Sequence, residues 1–127
     1  MGNRELSKRP HARILVWQRA MDLVEMVYAL SSRFPDTERF GLTAQMRRCA
    51  VSIPSNIAEG AARRSTLEYQ RFLSIARGSL SELDTQVLIA QRLGYVKATA
   101  HVADCVDDLF AKMTALMNAL KKRAPSR

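Results

Sequence analysis

Two long apolar rows govern how this chain can fold. Leu73, Ala76, Leu80, Leu83, Val87 and Ala90 form one; Val102, Val106, Leu109, Met113, Leu116 and Leu120 form the other. Steps of three and four residues place each row on a single helix face and present it to a nearly aligned partner helix. Strands alternate with a period of two and cannot use such rows. The first row follows Ser65-Thr66-Leu67-Glu68, a capping-box pattern with Ser65 as N-cap and Glu68 reaching back. It stops at Gly94, the residue type that closes helices in the left-handed conformation. The spacing therefore predicts a helix over 66–93, about 40 Å long at 1.5 Å per residue. A further helix begins between Lys97 and Thr99 and runs to about Lys122. Asp104, Asp107 and Asp108 lie near its start and Lys121, Lys122 and Arg123 at its end, the order the helix dipole favours.

Two more helices precede these. Over 14–34, Trp17, Ala20, Met21, Val24, Val27, Tyr28 and Phe34 form one apolar row, and Val16, Leu23 and Leu30 add a second. The combined arc is wider than a surface helix needs. Either the helix is unusually buried within one chain, or its second row faces another subunit. Pro35 stops it by disfavouring the α region at Phe34. After a turn at 35–41, a helix over 42–64 carries the stripe Leu42, Met46, Cys49, Ile53, Ile57 and Ala61. Pro54 lies inside it, removing one hydrogen bond and crowding the Ala50 carbonyl, so a kink is expected. Ser52, Ser55 and Asn56 flank that point and either serve the freed backbone groups or are solvated. Four helices with short connections predict an all-α, antiparallel up-down-up-down four-helix bundle with a Pro-kinked second helix. The expected organisation is a flexible basic arm at 1–13, the bundle domain at 14–123 and a tail at 124–127.

Composition agrees with this reading. In 127 residues there are only 5 Gly and 4 Pro, too few for a turn-rich sandwich or barrel. No run of eighteen apolar residues is present, so no span of a membrane is expected. The polar and basic opening lacks the apolar segment of a signal peptide. Cys49 and Cys105 stand singly within apolar patterns and read as buried free thiols of a cytoplasmic protein.

The inventory of reactive groups is poor. A carboxylate-bridged metal site in a bundle uses Glu-x-x-His pairs, but Glu59, Glu68 and Glu82 are followed three residues on by Ala62, Arg71 and Thr85. His11 and His101 fall in the arm and near a helix start. The cysteines are too isolated for zinc, no histidine is placed to activate a serine, and Gly-rich phosphate loops are absent. No metal, cofactor or catalytic residue is expected, and the chain does not read as an enzyme.

Charge is more informative. The net charge is +8, from 20 Lys and Arg against 12 Asp and Glu. The helices at 14–34 and 66–93 each sum to zero, so the excess lies in four places: the arm, Arg47-Arg48, Arg63-Arg64, and Lys121-Lys122-Arg123. Such clusters contact phosphates by displacing counterions; they also collect at helix ends simply as solvated charge. Aromatic stacking is not evident. Phe34, Phe72 and Phe110 stand at core spacing, Tyr69 and Tyr95 lie near helix termini, and Trp17 is open between core, subunit contact and stacking.

Three runs carry a family likeness: FGLTAQMRRCAVSIPSNIAEG at 40–60, VWQRAMDLV at 16–24 and RFLSIARGSLSELD at 71–84. With them the chain resembles the bacterial four-helix bundle family that includes proteins encoded within 23S rRNA intervening sequences. It is also similar to the accessory variability proteins of diversity-generating retroelements. The likeness is strong over about 14–95 and rests on apolar pattern alone over 96–120. It implies a ring-like homopentamer and, from the accessory proteins, a basic surface for RNA or DNA and a reverse transcriptase partner. It implies no catalytic residue. The candidate nucleic-acid-binding residues are Arg47, Arg48, Arg63, Arg64, Lys121, Lys122 and Arg123. Ser52, Pro54, Ser55, Asn56, Glu59 and Gly60 form a structural motif, in which Gly60 permits close helix approach. Two functions follow: a nucleic-acid-binding accessory protein, or an oligomeric scaffold whose charge is incidental.

Overall fold

A computed structural model describes residues 14–123; the arm and the tail lie outside the described residues. Four helices form: α1 (Leu15–Ser31), α2 (Leu42–Ala61), α3 (Thr66–Arg92) and α4 (Ala100–Arg123), with a 3-10 turn at Asp36–Glu38. No strand occurs among the described residues. The helices pack in cyclic order, α1 on α2, α2 on α3, α3 on α4 and α4 on α1, which leaves α1 and α3 on one diagonal. Each connection enforces a reversal. Only Ala62–Ser65 separates α2 from α3. The connection at 93–99 spans at most about 25 Å, whereas α3 is about 40 Å long, so α4 must fold back along it. The result is the up-down-up-down bundle that the apolar rows predict.

Both of those rows point inward. All six members of the α3 row are buried, as are Val102, Val106, Leu109, Met113 and Leu120 of α4, with Leu116 partly covered. On α1 the two rows divide differently from a subunit-contact reading of the second row. Val16, Leu23 and Leu30 are core residues of the chain itself. The residues left outside belong to the first row: Met21 is 40% and Tyr28 43% exposed. Ala20 and Val27 stay in the core, so this row straddles its boundary.

Helix ends are shorter than the pattern suggests. α1 stops at Ser31, and Arg33 and Phe34 bond back to the Leu30 and Ser31 carbonyls as a tightened turn. Pro35 restricts only Phe34; the earlier end of α1 reflects these tightened three-residue bonds. Phe34 still reaches the core, its ring 5.5 Å from that of Tyr95. α2 ends at Ala61, three residues before the expected limit. Ser65 caps α3 by accepting from the Glu68 N–H at 3.0 Å. The Glu68 carboxylate does not reach back; it faces Arg71 at 3.8 Å, so only half of the capping box forms. Gly94 has φ +80°, and Tyr95 N–H bonds to the Ala90 carbonyl while Gly94 N–H bonds to that of Gln91. That pair of bonds is the Schellman closure.

Helix α2 continues through the buried Pro54. Ser52 Oγ donates to the Cys49 carbonyl at 2.6 Å, Ser55 Oγ to that of Val51 at 2.8 Å, and Asn56 Nδ2 to that of Ser52 at 2.8 Å. The first two fall on the carbonyls either side of that of Ala50, which Pro54 cannot serve. Side chains bonding back in this way loosen the local ladder and let the helix bend. Further along, Gly60 brings α2 against α3: a Cβ there would stand 2.8 Å from Phe72 Cβ and 3.0 Å from Tyr69 Cδ1.

Candidate nucleic-acid interface

Because neighbouring helices run in opposite directions, one end of the bundle gathers the start of α1, the α2–α3 connection and the end of α4. Arg63 and Arg64 sit in that connection, and Lys121, Lys122 and Arg123 form the last turn of α4. These two clusters are nearly sixty residues apart in sequence and share an end of the molecule. Ile14, where the basic arm joins, opens the same end. Arg71, in the second turn of α3, adds a further cation with its side chain 76% exposed. The sequence reading passes over Arg71 because α3 as a whole is uncharged; its position beside the α2–α3 connection was the available signal.

These cations differ in freedom. Arg64, Lys121, Lys122 and Arg123 are exposed. The three at the α4 end lie in its last turn, where the negative end of the helix dipole suits them. Arg63 is held, its Nη2 donating to Glu59 at 2.6 Å and its guanidinium lying 4.9 Å from the Phe72 ring centroid. Glu59 and Glu68 are the acids nearest in sequence, and each faces one of the arginines. The end therefore keeps a positive excess.

Arg47 and Arg48 belong elsewhere. They lie in the first turns of α2, at the opposite end of the bundle, and a step of one residue turns them about 100° apart. Arg47 is a clamp between helices. Its Nε donates to Ser31 Oγ at 2.8 Å, its Nη2 to the Tyr28 carbonyl at 3.4 Å, and it stacks 4.6 Å from the Tyr28 ring centroid. A phosphate would have to displace these contacts. Arg48 is exposed and borders an open cleft with Gln45, Cys49, Ser52 and Glu82. In that cleft, burial and the Glu82 carboxylate push the Cys49 thiol up to about 11. Its Sγ donates to the Ser79 carbonyl at 3.0 Å, so it is an inert packing group at ordinary pH.

The motif at 52–60 makes bonds within its own helix and packs on α3; its polar atoms do not converge on a cavity. Ser55 and Glu59 share only an open depression with Ala58, Ala62 and Arg63. Among the described residues no three His, Cys, Asp or Glu side chains gather where a metal ion could be held. No helix among them is long and apolar enough to cross a membrane. What this arrangement can do is bind an extended anion by charge, at the end where the basic clusters meet.

The profile of the 23S rRNA-intervening sequence proteins matches residues 12–120. No curated protein matches the chain.

Proposed function

From the premise that this chain belongs to the 23S rRNA-intervening sequence protein family, we propose that it is a non-enzymatic, oligomeric nucleic-acid-binding accessory protein. The observation that carries the reading is the meeting of Arg63-Arg64, Arg71 and Lys121-Lys122-Arg123 at one end of the bundle. Several cations on one compact surface attract a polyanion and bind it through phosphates, which carry no sequence information. RNA or DNA is the partner in this reading, in the cytoplasm. The likeness to retroelement accessory proteins adds a reverse transcriptase as the candidate protein partner.

The protein acts as a homo-oligomer, with a pentamer as the expected state. Met21 and Tyr28 on α1, and Leu67, Ile75, Leu88 and Ile89 on α3, are exposed apolar groups on helices that occupy one diagonal. Their outward faces look in opposite directions. Contact of α1 in one copy with α3 in the next would be heterologous, the type that closes into rings. In such a ring every copy turns its basic end to the same side. These apolar faces also favour the second reading, an oligomeric scaffold without a nucleic-acid role.

Fluorescence anisotropy with labelled RNA and DNA at low and moderate salt, on protein whose mass is set by light scattering, tests the reading. Binding to unrelated sequences that weakens steeply with salt is expected, at a mass above that of one 14.3 kDa chain. No binding to either polymer at low salt would leave the scaffold. A monomer mass at micromolar concentration would remove the ring.

A further inference from the structure

The end of the bundle opposite the basic clusters carries Phe40, whose ring is 87% exposed, more than any other large apolar side chain described. It stands on a short loop that is firmly held. A 3-10 turn leads into it, and the Glu38 carboxylate accepts from the Leu42 N–H at 3.0 Å and from the Tyr95 hydroxyl at 2.8 Å. Gly41 leaves room for that carboxylate, since a Cβ there would lie 2.8 Å from Glu38 Oε1. The ring is thus displayed on a fixed support.

Its surroundings are cationic and polar. The Arg39 guanidinium lies 5.4 Å from the ring centroid. Asp36, Thr37 and Arg39 are exposed, and Arg33, Arg92 and Lys97 are exposed at the same end of the bundle. An apolar protein contact would favour further apolar groups on the loop beside the ring, whereas apart from Pro35 the loop's other exposed side chains are charged or polar. An aromatic ring with a stacked guanidinium and nearby cations is the combination that takes an unstacked base and its phosphates.

We propose that Phe40 and Arg39 form a stacking site for an unpaired nucleobase, so that the protein grips single-stranded nucleic acid at this end as well as by charge at the other. The site rests on the nucleic-acid reading above and gives it a preference for strands with unpaired bases. A duplex has no free base face for Phe40, so its affinity should depend on charge alone.

The test compares wild type, Phe40→Ala and Phe40→Trp by anisotropy on a labelled single-stranded oligonucleotide and on a duplex of the same length, each as RNA and as DNA. Phe40→Ala should weaken single-strand binding by roughly tenfold, the usual loss for one stacked base, and leave duplex binding within about twofold. Phe40→Trp should keep single-strand affinity, and its fluorescence should be quenched on binding beyond the change seen with Trp17 alone. Single-strand binding unchanged in Phe40→Ala would overturn the site while leaving the charge-based reading intact. So would a changed oligomer mass in Phe40→Ala, which would make the ring a protein contact. Wild-type protein that binds neither polymer would overturn both.

Discussion

Glu38 ties together two connections that lie 57 residues apart in sequence. Its carboxylate takes a hydrogen bond from the Leu42 N–H and another from Tyr95, and these hold it below the usual carboxylate range. The same contact raises Tyr95, whose phenol must keep its proton to donate. A carboxylate lowered in this way contributes stability that is fully present above its unfolded pKa and is lost as pH falls through its folded one. Glu38→Gln keeps an acceptor but loses the charge. Thermal denaturation from pH 7 down to pH 3 should show wild type more stable than Glu38→Gln near neutrality, the gap closing in the acid range. A gap constant with pH would mean the charge contributes nothing. Such a tie is invisible in the sequence, because neither Glu38 nor Tyr95 belongs to a periodic pattern. Phe40 was hidden for the same reason: nothing in a turn's sequence says whether an aromatic ring folds in or stands out. Arg47 and Arg48 look like one cluster on paper, yet the helix turns them apart and only Arg48 is left exposed.

Whole helices were far more legible than their ends. Periodicity integrates over many residues, so the α3 and α4 rows predict burial at every position except Leu116, which is partly covered. Ends depend on a few local bonds, and α1 and α2 each stop about a turn early. The wide apolar arc of α1 was legible as excess, but the choice of row needed the neighbouring helices in place. Two glycines on adjoining helices test how the packing works. Gly60 meets the Phe72 Cβ, part of the α3 framework, so the neighbour cannot yield cheaply. Gly78 on α3 has open space around its would-be Cβ. Ala is intrinsically better than Gly in a helix by about 1 kcal/mol, and overpacking costs about 1–3 kcal/mol. Gly78→Ala should therefore raise the denaturant midpoint, while Gly60→Ala lowers it despite the same propensity gain. Equal shifts in one direction would show that α2 and α3 are not tightly apposed at Gly60.

At the scale of the molecule, antiparallel packing brings two basic clusters that are distant in sequence to the same end of the bundle. Arg63-Arg64 and Lys121-Lys122-Arg123 share one end, with the exposed Arg71 near the start of α3 beside them, while Arg47 braces α1 against α2 at the other. None of this can be read from a list of charges; it follows from which helix ends adjoin. In the α2 motif, a proline, small polar residues and a glycine in one helix signal backbone adjustment and close approach, and the side-chain bonds of Ser52, Ser55 and Asn56 and the close contact at Gly60 are of that kind. The most direct test of the account sets the triple replacement of Lys121, Lys122 and Arg123 by Ala against Arg47→Ala, in nucleic-acid titrations over a range of salt. The triple variant should bind unrelated single strands more weakly by similar factors, its log–log salt slope reduced in magnitude by about 2 per subunit engaged, with the folded structure retained by circular dichroism. Arg47→Ala should lower thermal stability and keep the wild-type salt slope. Equal losses of slope in both variants, or none in the triple variant, would contradict the claim that the fold gathers its charge-based phosphate contacts at the end shared by α2, α3 and α4.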